Sequence, residues 1–167
     1  MTPQPSIFAD TENADTVFIR VEGKGTFTNS PCLKEFAVKM LEQGRRAFVI
    51  DLINCPSMDS TFMGTLAGIA MRMEDLGGGK LWVINRNERN TELLDGLGIS
   101  ALFCEEAAPS IASAAAAVES GPADKAQTRE VMREAHEACI KANPVNAERF
   151  KDVIAHLEDS ARRAAQS

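Results

Sequence analysis

The sequence is poor in aromatic side chains and lacks a net positive charge. Tyrosine is absent, aromatic residues make up 5% of the 167 residues, and the formal net charge is −6. Proteins that bind single-stranded nucleic acid use exposed rings as stacking platforms, and a negative surface repels both phosphate backbones and anionic membranes. We therefore expect no nucleic-acid partner.

Clustered metal ligands are also missing. The two histidines are far apart in the C-terminal third, and they are expected to be ordinary surface residues on two helices. The four cysteines form no C-x-x-C pair, so neither a metal site nor a cofactor is predicted. These residues are His136 and His156, and Cys32, Cys55, Cys104 and Cys139.

The sequence also contains no long apolar run and no recognisable targeting signal. No stretch of the sequence has the length or hydrophobicity of a membrane-spanning helix, and the N-terminus does not read as a leader peptide. The sequence is therefore expected to belong to a cytoplasmic protein with reduced thiols and no membrane insertion.

The centre of the sequence has the pattern of a βαβ unit. The apolar run from Ala47 to Ile53 predicts a buried strand, the periodic stretch from Ser60 to Leu76 predicts a helix, and Leu81 to Ile84 predicts a second buried strand. A strand, helix and strand at this spacing are typical of parallel strands joined by a crossover. The fold class is therefore α/β.

The flanking segments extend this unit. A strand is predicted from Thr16 to Val21, after a weakly paired start over the first fifteen residues, and a helix is predicted before Gly44. A short helix should begin at Asn90 or Thr91. A brief strand at 101–103 and an Ala-rich helix over 110–118 complete the predicted domain.

The C-terminal segment predicts a helical hairpin. Ser120-Gly121-Pro122 has the composition of a linker, and two amphipathic helices with narrow apolar stripes follow it. We expect domain boundaries of 1–119 and 120–167. The hairpin is too small to bury both stripes alone, so docking on the main domain or pairing into a homodimer is expected in preference to a free tail.

The junction after the first buried strand is the candidate functional site. Asp59-Ser60-Thr61 lies where that strand gives way to a helix, so Ser60 can cap the helix, and its hydroxyl can also accept a phosphate. Two other candidates are weaker. Cys55 has no nearby catalytic partner and is expected to be a small buried residue, and Gly23-Lys24-Gly25-Thr26 lacks phosphate-loop spacing and is expected to be a turn.

Three segments together resemble the STAS domain of bacterial anti-sigma factor antagonists. They are FVIDLINCPSMDSTFMGTLAGI, GGKLWVIN and LLDGLGISALF, and the likeness extends from about Thr16 to Val118. The resemblance implies a mixed sheet of four to five strands with helices mainly on one face. It also implies that a partner-switching kinase phosphorylates Ser60, with Thr61 as the alternative.

The same resemblance implies a protein-binding surface and no catalytic residues. The expected partners are an anti-sigma-type Ser/Thr protein kinase and a Ser/Thr phosphatase that acts on the phosphorylated form, so the protein would regulate transcription or signalling.

Phe62 stands where many members have glycine, and it is expected to be exposed. The alternative function is a scaffold subunit of a lipid-transport or multiprotein signalling assembly, without phosphorylation. The surface residues are Asp59, Ser60, Thr61, Phe62, Met63 and Gly64.

Overall fold

A five-stranded mixed sheet forms the framework of the protein. The structure, a computed structural model, describes residues 6–110, 115–119 and 121–166. The strands lie in the order β4-β3-β2-β1-β5, with β2, β3 and β4 parallel and β1 antiparallel to both of its neighbours. The strands are β1 (Ile7–Asp10), β2 (Val17–Glu22), β3 (Ala47–Asn54), β4 (Lys80–Ile84) and β5 (Ala116–Ala117).

Helices connect the parallel strands and extend beyond the sheet. A short 3-10 helix (Ser100–Leu102) follows the third of them, and the last two form the C-terminal hairpin. The helices are α1 (Ser30–Glu42), α2 (Ser60–Asp75), α3 (Glu88–Gly96), α4 (Lys125–Ala142) and α5 (Asn146–Ala165). The predicted α/β class, the parallel βαβ unit and the C-terminal helices are thereby confirmed.

Strand β3 lies at the centre of the parallel part of the sheet because its apolar side chains need cover on both faces. Phe48, Val49 and Ile50 are fully buried, and Ile50 is in register with Ile19 of β2 and Val83 of β4. This arrangement agrees with the uninterrupted apolar run, which is characteristic of strands covered on both sides. The C-terminal end of β3 leads through a short turn into the start of α2.

Helix α2 lies between the core and the C-terminal hairpin. Phe62, Leu66 and Met73 belong to the main apolar cluster, while Gly64 and Gly68 face α4. The hairpin therefore docks on its own domain, one of the two arrangements that its thin apolar stripes predicted.

Four predictions about the edges of the domain are wrong. The segment before Thr16 contains β1, which pairs with β2 and β5, rather than a weakly paired start. The predicted strand at 101–103 is replaced by the 3-10 helix, and α3 starts earlier than Asn90 because the Asn87 side chain caps it. In the predicted helix over 110–118, residues 111–114 lie outside the described residues, and Ala116–Ala117 form an edge strand because they hydrogen-bond to β1.

Candidate functional site

The turn between β3 and α2 presents Ser60 at the first position of the helix. Asp59 is the N-cap, and its Oδ1 accepts a hydrogen bond from the Phe62 amide at 2.8 Å. The expectation that Ser60 caps the helix is therefore wrong, because the carboxylate one residue earlier has the extended backbone that a cap requires. The Ser60 hydroxyl is consequently not used in capping.

Asp59 also ties a second loop to this site. Its Oδ2 accepts a hydrogen bond from the Phe27 amide at 2.8 Å, and its own amide donates to the Gly25 carbonyl at 2.8 Å. The carboxylate thus fixes the loop before α1 beside the start of α2. As a result, the Phe27 backbone is held beside Asp59, and Phe27 is 49% exposed. Sequence analysis missed Phe27 because nothing local to it indicates this contact.

Phe62 is buried, and the expectation that it is exposed is wrong. Its side chain has no exposed surface, and a β-carbon added at Gly25 would lie 2.6 Å from Phe62 Cδ1. The ring fills the space that the missing side chain of Gly25 leaves open. A polar sequence neighbourhood suggested exposure, but the third residue of α2 points towards the core.

Of the other five predicted surface residues, three are buried and two are half-buried. Thr61 is 3% exposed, Met63 is 4% exposed and Gly64 is buried. Asp59 and Ser60 are half-buried. The structure therefore brings the six predicted residues together at one helix terminus and leaves two of them in partial contact with solvent.

A histidine from the hairpin contacts the Ser60 hydroxyl. His136 Nε2 lies 2.9 Å from Ser60 Oγ, and His136 Nδ1 lies 2.6 Å from the Met132 carbonyl oxygen. A carbonyl only accepts, so in the neutral ring Nδ1 carries the proton and Nε2 accepts the hydrogen bond that Ser60 donates. The Phe150 ring of α5 packs edge-on against this imidazole at 4.7 Å.

The expectation that His136 is an ordinary surface residue is wrong, since it is 2% exposed. It lies among the buried residues of α4 with Ala135 and Cys139, which belong to the apolar stripe of that helix. A histidine adjoining such a stripe is the signal that could have indicated its burial. His156, by contrast, is exposed as expected.

Small residues allow α4 to approach α2 closely. Ser60, Gly64 and Gly68 recur every four residues and so share one face of the helix. A β-carbon added at Gly64 would lie 2.2 Å from the Ala135 carbonyl oxygen, so the two backbones are in direct contact there. The hairpin therefore lies against the helix face that begins with Ser60.

The two buried cysteines, Cys55 and Cys139, are unsuited to nucleophilic chemistry. Burial raises the pKa of the Cys55 thiol above its ordinary value and raises that of Cys139 to about 11, so both are protonated near neutral pH. Cys55 is buried next to the end of β3, as predicted.

Within 6–110, 115–119 and 121–166, no group of three or more histidine, cysteine or acidic side chains is arranged to hold a metal ion. None of the helices in this described part is both long and apolar enough to cross a bilayer.

A sequence model of the STAS domain matches residues 8–114, which is more than half of the chain. The chain belongs to the STAS domain family. A comparison with curated proteins finds no significant match.

Solved structures share the STAS fold with this chain at low sequence identity. SpoIIAA, a Bacillus cell fate determinant, in its phosphorylated form is 16% identical with a TM-score of 0.50, over 59% of this chain and 88% of that protein. A Thermotoga maritima protein described as a candidate anti-sigma factor antagonist is 18% identical with a TM-score of 0.51, over 56% and 80%. The unphosphorylated form of the anti-sigma factor antagonist SpoIIAA is 18% identical with a TM-score of 0.48, over 53% and 81%. At these identities the likeness concerns the fold.

The hairpin lies outside the part of the chain that matches the STAS family. The matched residues end before α4, yet α4 contributes His136 to the site at the start of α2. The site thus combines a STAS junction with an added element that covers it.

Proposed function

We propose that this STAS domain is an anti-sigma factor antagonist that binds an anti-sigma-type Ser/Thr kinase through the start of α2 and is released when Ser60 is phosphorylated. The observation that carries the proposal is the position of the Ser60 hydroxyl, at the first residue of a helix whose cap is supplied by Asp59. Asp59, Ser60 and the exposed Phe27 would form the docking face, and the buried Thr61, Phe62, Met63 and Gly64 would support it from within the domain. The protein itself would catalyse nothing and would act in regulating transcription or signalling.

The chemistry of phosphorylation suits this helix terminus. The kinase would transfer the γ-phosphoryl group of ATP to Ser60 Oγ: an Oγ–P bond forms, the bond to ADP breaks, and the hydroxyl proton passes to a base of the kinase. Amide groups and the helix dipole favour an anion at this end of α2. Thr61 is the weaker alternative acceptor because its side chain is 3% exposed.

A phosphate would weaken binding without refolding the domain. It adds about −1.5 to −2 charges beside the Asp59 carboxylate, so a partner that accepts the unmodified face meets new bulk and repulsion. A loss of about 3 kcal/mol in binding free energy reduces affinity more than a hundredfold. A Ser/Thr phosphatase would then restore the binding form. The fold shared with SpoIIAA, which exists in a phosphorylated form, supports this proposal.

The test is phosphorylation by the purified anti-sigma-type kinases of the same genome with Mg-ATP, followed by mass spectrometry of the peptide that contains Ser60. We expect one phosphate on the wild type and on Thr61→Val, and none on Ser60→Ala. Ser60→Asp should bind the same kinase at least about a hundredfold more weakly than Ser60→Ala. Tight, unmodified binding by all forms would instead favour the scaffold function in a transport or signalling assembly.

We also propose that 1–119 is the STAS domain, that 120–167 is an extension, and that the protein acts in the cytoplasm. Homodimer formation through the hairpin stays a prediction. The apolar stripe of the hairpin packs on its own domain, so a dimer would need another face of the hairpin or an exchange of hairpins between two chains.

A further inference from the structure

The C-terminal hairpin occupies the face on which a kinase would dock. We propose that the hairpin and the kinase are alternative occupants of this face, so that Ser60 accepts phosphate only while the hairpin is detached. This inference rests on the proposed function and assigns its regulation to residues 125–165.

The first argument is the contact at the hydroxyl itself. In the docked state Ser60 Oγ lies 2.9 Å from His136 Nε2, and the ring is enclosed with 2% exposure. Phosphoryl transfer requires the γ-phosphorus of ATP to lie about 3–3.5 Å from the attacking oxygen, with a base of the kinase nearby. The imidazole lies within that distance of the oxygen and engages the hydroxyl proton.

The second argument is the lack of space along α2. The Gly64 backbone and the Ala135 backbone are so close that even a methyl group would overlap the Ala135 carbonyl. A partner protein cannot insert between helices at this separation. The kinase therefore needs α4 to leave before it can contact the same helix face.

The third argument is that the hairpin is attached to the domain at separate points beyond α2. Lys34 of α1 forms an ion pair with Glu134. At the hairpin turn, Asn146 Nδ2 donates to the Leu97 carbonyl at 2.9 Å, and Arg149 donates to the Gly96 carbonyl at 3.1 Å. The described hairpin thus docks as a unit on three surfaces of the domain, and its detachment would have to break these contacts together.

Phosphorylation and docking should then oppose each other. A phosphorylated Ser60 no longer has the hydroxyl proton that His136 Nε2 accepts, and it needs volume that α4 fills. If docking excludes phosphate, then phosphate must favour the detached hairpin by the same free energy. The rate of phosphorylation is scaled by the detached fraction.

A reversible crosslink tests this idea in the full-length chain. A β-carbon at Gly68 would lie 4.0 Å from the Ala138 β-carbon, which is a separation suited to a disulfide. The Gly68→Cys/Ala138→Cys variant can therefore be locked by oxidation and released by reduction. The reduced form of the same protein is the matched control.

An opening variant gives the opposite perturbation. Ala135→Leu adds bulk where α4 touches the Gly64 backbone and should displace the hairpin. Ala155→Leu makes the same change at an exposed position of α5 and is its control. Detachment is measured without any kinase as thiol labelling of Cys139, which is fully buried in the docked state.

We expect the oxidised lock to reduce the rate of Ser60 phosphorylation by purified anti-sigma-type kinase at least about tenfold relative to its reduced form. Ala135→Leu should raise both this rate and Cys139 labelling, and Ala155→Leu should raise neither. Equal phosphorylation of the locked and reduced forms would overturn the inference and leave the proposed function intact. If no form accepts phosphate, including an Ala135→Leu protein that labels rapidly at Cys139, the proposed function fails and the regulation fails with it.

Discussion

Replacing Gly64 by alanine should detach the hairpin, whereas the same replacement at Gly68 should not. The two glycines lie one turn apart on the face of α2 that α4 covers. The new β-carbon would lie 2.2 Å from the Ala135 carbonyl oxygen at Gly64, but 4.0 Å from the nearest atom, the Ala138 β-carbon, at Gly68. The first distance is a clash with backbone and the second is an ordinary contact.

The magnitude follows from the nature of the clash. Overpacking typically costs about 1–3 kcal/mol, and a clash with backbone cannot be relieved by a change of rotamer. Alanine favours the helix over glycine by up to about 1 kcal/mol, but this gain applies to the docked and detached states alike. The docking equilibrium of Gly64→Ala should therefore shift by about 2–3 kcal/mol, or roughly thirty- to a hundred-and-fiftyfold.

The assay is thiol labelling under native conditions, with the modified peptides separated by mass spectrometry. Cys139 lies on α4 of the hairpin, is fully buried in the docked state and should report detachment, while Cys55 is 1% exposed beside β3 and should report opening of the domain. Gly64→Ala should accelerate labelling of Cys139 alone, and Gly68→Ala should match the wild type. Equal Cys139 rates in the two variants would refute the packing argument, as would parallel acceleration of Cys55.

Three further predictions concern single contacts. Asp59→Ala removes the cap of α2 and the anchor of the Phe27 loop, so urea denaturation should show a loss of about 1–2 kcal/mol in the free energy of unfolding, and an unchanged value would contradict the capping role. Asn146→Ala leaves the buried Leu97 carbonyl without its donor and should weaken docking by about 1–3 kcal/mol, seen as faster hydrogen exchange in α4 but not in β3. Burial raises the pKa of Cys139 to about 11 from 9.0, so its contribution to docking is complete below pH 9.0 and is lost as the pH rises through about 11. After correction for the base-catalysed intrinsic exchange rate, hydrogen exchange of α4 should accelerate over that interval in the wild type, and a Cys139→Ala variant that keeps the same corrected acceleration would contradict this assignment.

The central part of the fold could be predicted because its signals are local. The apolar run of β3 requires cover on both faces, and the apolar spacing of α2 specifies a helix, whatever the rest of the chain does. The edges were less predictable. The alanines of β5 carry no strand signal of their own and pair only because β1 offers them an open edge.

The candidate site was predictable in position but not in detail. Aspartate and serine are both strong N-caps, so the sequence could not distinguish them, and the backbone that places Asp59 at the cap also binds the Phe27 amide. The burial of Phe62 depends on Gly25, which is close to it only in the folded chain. Sequence spacing carries no information about either contact.

The sequence by itself determined that a strand ends, that a helix begins, and that a serine lies at that junction, because these depend on the preferences of neighbouring residues. Tertiary structure alone decided that this serine meets His136, 76 residues away, and that a hairpin outside the STAS match covers it. The physical reason is that docking depends on how closely two helix backbones can approach, and that distance is set by the packing of the whole domain.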